Sequence, residues 1–279
     1  MKTSIKILLL LLALAGAVFG VLYWQKTQVE PPQNPSPGNV NYNQLEEHVA
    51  AINNGDDLDK NFDKVYDELC FLNDEGLIKA DERDEQLRDL TEAYAPQFAS
   101  NALSKLQNSW TYDNLKRLVN RVKLLSSLTS TEGDPMIVDQ DVKQKFDIIN
   151  KVNTDYAKAN ALASRTSFTN VRDVKDRISN ANTYRNNTYL CHCSPLVERL
   201  RNLPAKIGSS HYSVVRSAVN SLARNYRNYS DIRSKKREVA SKISEYESMT
   251  RYYGRNEGTT TLRSTLASIP EVTDSYYSN

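Results

Sequence analysis

Glycine and proline are scarce, with nine of each in 279 residues. A turn-rich β-fold needs more of both, and no run alternates apolar and polar residues between turn signals. Cysteine is scarcer still. The chain has three, Cys70, Cys191 and Cys193, an odd number that leaves at least one thiol outside any intramolecular disulfide. The three histidines, His48, His192 and His211, are far apart in the chain. The patterns G-x-S-x-G, H-E-x-x-H, Walker A and G-x-G-x-x-G are missing, so the common signatures of acyl transfer, zinc proteolysis and nucleotide binding are not there. We expect no enzyme, no cofactor and no dedicated metal site. Phenylalanine is also rare, six against sixteen tyrosines. A tyrosine tolerates a half-buried position because its ring is apolar and its hydroxyl polar. That suits narrow helix packing or a contact surface.

Long apolar runs are missing too, with one exception. From Ile7 to Trp24 no residue is charged, and Lys2 and Lys6 precede the run. Eighteen helical residues span roughly 27 Å, close to the roughly 30 Å hydrocarbon core of a bilayer. Tyr23 and Trp24 would lie at the interface that amphipathic rings favour. We expect a membrane anchor over 1–24, crossing through 7–24. The alternative is a signal peptide cleaved after Ala15-Gly16-Ala17, giving a secreted protein. The positive residues before the run place the remainder outside the cytoplasm, in the periplasm or extracellular space. Residues 25–41, with Pro31, Pro32, Pro35 and Pro37, read as a semi-rigid linker.

Beyond the linker the apolar period is helical, and the expected fold is all-α. We expect an elongated multi-helix bundle or irregular α-solenoid with coiled-coil-like seams, behind the N-terminal transmembrane helix. Leu58, Phe62, Val65, Leu69 and Leu72 form one such seam. Leu115, Leu118, Val119, Val122, Leu125 and Leu128 form the apolar face of another helix, with Thr111 as its N-cap and Trp110 as a staple. The run Ser130–Pro135 (STEGDP) separates an acidic helical region, 42–129, from a basic one, 136–279. A long helix follows through Val138, Val142, Phe146, Ile149, Val152, Tyr156, Ala159 and Ala163. Ser109-Trp110-Thr111 and Ser167-Phe168-Thr169 open similar patterns and suggest a repeated helix pair. Ser194-Pro195 reads as a cap and first-turn proline. The helix after it is expected to stop at Pro204, with a new one starting at His211 beyond Gly208-Ser209-Ser210. A last short helix carries Leu262, Leu266 and Ile269.

The net charge of +2 hides two halves. Residues 43–92 hold sixteen Asp/Glu against five Lys/Arg, and residues 165–255 hold eighteen Lys/Arg against seven Asp/Glu. These are either solvated faces of one fold or separate docking surfaces. Outside the cytoplasm the basic half is not expected to meet nucleic acid. Anionic glycan, lipid or an acidic protein fit it better.

Three constellations could carry chemistry. Asp57, Asp59, Asn61, Asp63 and Glu68 keep calcium-loop spacing, with Phe62 where the turn wants glycine. The stretch Phe71–Glu82 (FLNDEGLIKADE) resembles an EF-hand loop at Asn73, Glu75, Gly76, Ile78 and Glu82, with Phe71 in place of the first acidic ligand. The resemblance implies a calcium site. The plainer reading is an acidic helix–turn–helix with Gly76 as C-cap. The second constellation is Cys191-His192-Cys193, which with Cys70 supplies candidate disulfide partners. The third is a basic, tyrosine-rich patch, Arg224, Arg227, Arg233, Lys236 and Arg237, followed by Arg251, Tyr252, Tyr253 and Arg255. We take the first five as the candidate interaction site. Tyr226 and Tyr229 are expected to turn into the helix seam. The expected function is a membrane-anchored, extracytoplasmic helical scaffold or adaptor in the cell envelope, binding a protein partner or a second copy. The alternative is a ligand-binding module for calcium, anionic glycan or lipid.

Overall fold

The computed structural model describes residues 42–55, 57–254 and 256–271. The expected anchor and linker, Asp56, Arg255 and the C-terminal tail lie outside the described residues. Among those described, no helix is long and apolar enough to cross a membrane. They form nine α-helices: α1 (Tyr42–Asn53), α2 (Leu58–Asp74), α3 (Ala80–Gln107), α4 (Tyr112–Ser127), α5 (Gln140–Ser164), α6 (Val171–Arg185), α7 (Ser194–Asn225), α8 (Ile232–Tyr253) and α9 (Thr260–Ser268). Short 3₁₀ turns occupy Leu190–His192 and Tyr226–Asn228. The β pairing among the described residues is one isolated bridge, Thr129 to Pro135. The chain divides into two compact units, up to Leu90 and from Thr91 onward, and α3 runs through the division.

In the first unit the stripe on α2 is buried as its spacing predicts: Phe62, Val65, Leu69 and Leu72. Ile52, Ile78, Leu87 and Leu90 complete the core. Each large apolar side chain taken out of water contributes about 1.5–3 kcal/mol. Asp57 occupies the N-cap position of α2 but adopts φ 39°, and its side chain caps nothing. At the other end of α2, Gly76 N–H donates to Asn73 O (3.0 Å) and Leu77 N–H to Leu72 O (2.9 Å). This pair of bonds is a Schellman cap, and it needs Gly76 at φ 67°.

The second unit centres on α7, which packs against α5, α6, α8 and α9. The face of α4 is buried along its whole expected length. Thr111 Oγ1 accepts from Asn114 N–H at 3.4 Å, the cap that the sequence predicts. Asp231 caps α8 in the same way, accepting from Ser234 N–H at 2.8 Å. The Ser130–Pro135 run lies inside this unit as a tight loop, closed by Ser130 N–H to Asp134 O (2.8 Å) and Asp134 N–H to Ser130 Oγ (3.0 Å).

Four expectations are corrected, and the role of Trp110 is widened. Pro204 and Gly208 both lie inside one continuous helix, α7, rather than dividing two. Ser194 is the first residue of α7 and not its cap; Cys193 holds the cap position without a side-chain bond. Val138 is 62% exposed and precedes α5, whose cap is Asp139. Trp110 is more than a local staple: its indole N–H donates to Tyr189 O (3.0 Å), and its ring lies 5.8 Å from that of Tyr156. The suspected repeat changes register, since α4 is capped by Thr111 but α6 by Asn170. Counted from those caps, Leu115, Leu118, Val119 and Val122 correspond to Val174, Arg177, Ile178 and Ala181, all buried. Arg177 therefore fills a leucine position.

Candidate functional site

Three of the five expected patch residues come together. Arg233, Lys236 and Arg237, on the first two turns of α8, line a groove of about 340 Å³ with Ala240. Across it stand Arg263, Leu266 and Ala267 of α9, and then Glu271. The groove has an apolar floor of alanines and leucine and a cationic rim. Arg224 and Arg227 do not line it; Arg227 lies over the Tyr226 ring and donates from Nε to the Tyr226 hydroxyl at 3.1 Å. Tyr226 and Tyr229 are half-buried at the α7–α8 junction rather than inside a seam, because the chain leaves the α-helix there. Arg263 and Glu271 were not singled out in the sequence. Their approach depends on how α9 folds back, and the only local signal was Arg263 beside the buried Leu262.

The cations of the groove differ in how they are held. Arg263 makes a two-point clamp on Glu247 of α8, Nε to Oε1 at 2.9 Å and Nη2 to Oε2 at 2.5 Å. Thr259 Oγ1 also donates to Oε1, at 2.5 Å. The Arg263 hydrogen bonds hold the Glu247 carboxyl below the usual carboxylate range. Arg233 Nε donates to Glu271 Oε2 at 3.0 Å, and Lys236 Nζ donates to Ile269 O at 2.8 Å. Lys235 is drawn out of the groove by Glu238, which it shares with Lys242. Arg237 has no ion pair or hydrogen bond among the described residues. The placement is also unfavourable for the helix. Arg233, Lys235, Lys236 and Arg237 crowd the positive end of α8, whose first turn holds no acidic residue. An anionic group in the groove would relieve both the crowding and the dipole.

A second cluster is closed to solvent. His211 is 2% exposed, stacked on Phe168 and 2.8 Å from the Tyr253 hydroxyl through Nδ1. Tyr246 meets the imidazole edge-on, and its own hydroxyl accepts from Glu257 N–H at 3.0 Å. Burial lowers the His211 pKa to about 4 and raises that of Tyr253. The imidazole is neutral and the phenol protonated, and the two share one hydrogen bond whose direction the His211 tautomer sets. The cluster fastens α7 to α8. An unfolded histidine titrates near pH 6.5, so between pH 6.5 and 4 the unfolded chain binds a proton that the folded chain refuses. Stability from this group is complete above pH 6.5 and is lost as pH falls toward 4, by about 3 kcal/mol in all. Urea unfolding of wild type and His211→Gln at pH 7.5 and pH 4.5 checks this. The wild type is expected to lose the extra stability, and equal losses in the two proteins would contradict it.

The remaining sequence candidates have structural roles. Cys70, Cys191 and Cys193, expected as disulfide partners, are free thiols that are half-buried, exposed and buried respectively. Burial raises the Cys193 pKa, which works against thiolate chemistry there. The His192 carbonyl accepts from Trp110 N–H at 3.4 Å, so this turn docks the start of α4. In the acidic region, Asp59 to Glu68 lie on continuous helix α2, and Asn61 is buried with Oδ1 3.1 Å from His48 Nδ1. The oxygen ligands are thus strung along a helix instead of surrounding one point. Asn73 is in α2 and Glu82 in α3, with the Schellman turn between them. Among the described residues no three His, Cys, Asp or Glu side chains are grouped to hold a metal ion. Compared with protein-family models, curated proteins and solved structures, the chain matches none.

Proposed function

We propose that the chain is a membrane-anchored, extracytoplasmic helical scaffold or adaptor that mediates protein–protein interaction in the cell envelope. Residues 7–24 hold it in the membrane, residues 25–41 space it from the surface, and the helical body presents the docking sites. In the second unit, helices that follow one another in sequence pack on one another from α4 to α9, which supports an irregular solenoid arrangement. One observation carries the reading. Arg233, Lys236, Arg237 and Arg263 surround an apolar floor, and Arg237 is left unpaired. Apolar centres with polar rims are the arrangement of protein-contact sites. The same unpaired guanidinium favours a second reading, capture of an anionic glycan or lipid headgroup.

The test uses the full-length protein in the cells that make it. A photo-crosslinking residue replacing Arg237 is expected to give a covalent product with protein, from a chain that fractionates with membrane and keeps residues 1–24. Deleting 7–24 is expected to release it. Recovery of bare monomer alone removes the adaptor reading, and a lipid or glycan adduct selects the second reading.

A further inference from the structure

The groove has a counterpart on the same chain. Phe71 is 45% exposed on the outer face of α2. One helical turn before it stand Asp67 and Glu68, and one turn after it Asp74 and Glu75. All four carboxylates are exposed, and none is in an ion pair among the described residues. The face is an aromatic side chain ringed by anions. The groove is an apolar floor ringed by cations and by Glu271, which pairs with Arg233 and Lys236 and leaves the Arg237 guanidinium unpaired.

Resting on the scaffold reading, we propose that the α8–α9 groove takes the Phe71-bearing acidic face of α2 from a second copy of this chain. Phe71 enters over Ala240, Leu266 and Ala267. The four carboxylates meet Arg233, Lys236 and Arg237, with Arg237 gaining the partner it lacks within its own copy. A groove of about 340 Å³ lies at the small end of the range for binding pockets, roughly 300–1,000 Å³. That suits one aromatic anchor better than an extended chain. Charge complementarity favours the second copy as occupant. Residues 43–92 carry an excess of eleven negative charges, and 165–255 an equal excess of positive ones. Docked carboxylates also offset the cations crowded at the start of α8. The contact joins two different surfaces, so a docked pair leaves one copy's groove and the other copy's Phe71 face open to a further copy.

The test is sedimentation of the full-length protein in detergent over a range of concentrations, at low and high salt. Concentration-dependent growth is expected at low salt and weakens at high salt, as screening shortens the reach of the charges. Arg237→Glu and Phe71→Ser are each expected to weaken association roughly tenfold. Both side chains are exposed, and circular dichroism of each variant checks that it folds. The deciding measurement mixes two differently tagged proteins, one D67R/E75R and the other R233E/R237E. Neither is expected to associate with itself, while the mixture does, because each variant keeps the native surface that the other has lost and the two reversed surfaces also match in charge. A monomer at every concentration, association unaffected by these substitutions, or a mixture that does not associate would each overturn the proposal. If self-association is absent but the crosslinker at 237 captures a different protein in cells, this inference fails and the adaptor reading stands. If neither is seen, both fail.

Discussion

Gly208→Ala is expected to destabilise the second unit by about 3 kcal/mol, despite placing a better helix former inside a helix. At an open helical position the same change gains about 1 kcal/mol. Here a Cβ on Gly208 would lie 2.8 Å from both Cβ and Cγ of Tyr253 and 3.0 Å from its Cδ2. Real Cβ atoms do not approach that closely, and Tyr253 cannot swing away. Its Cβ is fixed to the backbone of α8, and its hydroxyl is bonded to His211 one turn along α7. Relief therefore requires α7 and α8 to separate, which loosens Leu203, Ile207, Val215 and Met249, all buried. For a unit of this size the expected fall in Tm is roughly 10 °C. Thermal unfolding followed by circular dichroism measures it. A rise in Tm, the ordinary gain for glycine to alanine in a helix, would mean that the two helices do not meet at this point.

The same glycine shows where sequence reading stops. Glycine is a helix breaker when the cost of its freedom is unopposed, and Pro204 one turn earlier strengthens that reading. A proline inside a helix costs about 3 kcal/mol. Near Pro204, Leu200, Leu203 and Ile207 are buried, and each contributes about 1.5–3 kcal/mol. Burial outweighs the lost bond, and α7 continues. Pro96 within α3 is the same case, flanked by buried Tyr94, Ala95, Phe98 and Ala99. Features that depend on nearby residues were legible: the stripes of α2 and α4, and the Thr111 cap. Features that depend on a distant partner were not. Half of the groove was readable, because Arg233, Lys236 and Arg237 are crowded in sequence. The other half came from α9, whose approach to α8 is set by the Glu247–Arg263 clamp. Arg177 was read only as part of the basic excess, since no periodicity distinguishes a solvated arginine from one that ties two helices together.

Arg177→Leu is expected to cost about 3–5 kcal/mol, although leucine occupies the corresponding position on α4. Arg177 is 4% exposed. Its Nη1 donates to Arg165 O at 2.8 Å and its Nη2 to Ser167 O at 2.6 Å. Arg165 is the C-cap residue of α5, where carbonyls have no donor within the helix. A cation at that end also complements the helix dipole. Nε lies 3.1 Å from Asp173 Oδ2 as an ion pair, without the alignment of a hydrogen bond. Asp173 in turn accepts from Thr169 Oγ1, and that bond, with the neighbouring arginines, keeps its carboxyl ionised below the usual range. One side chain thus closes the turn between α5 and α6. Swapping a buried ionic pair for apolar residues can be neutral when both partners are replaced. Backbone carbonyls cannot be replaced, so leucine takes the donors from two part-buried acceptors and removes one cation from Asp173. Arg177→Lys keeps the charge but loses the fork that reaches both carbonyls, and is expected to fall between leucine and wild type. Denaturant unfolding of the three proteins gives the order arginine, lysine, leucine. Equal midpoints for leucine and arginine would show that packing alone holds the turn, as it does at Leu118.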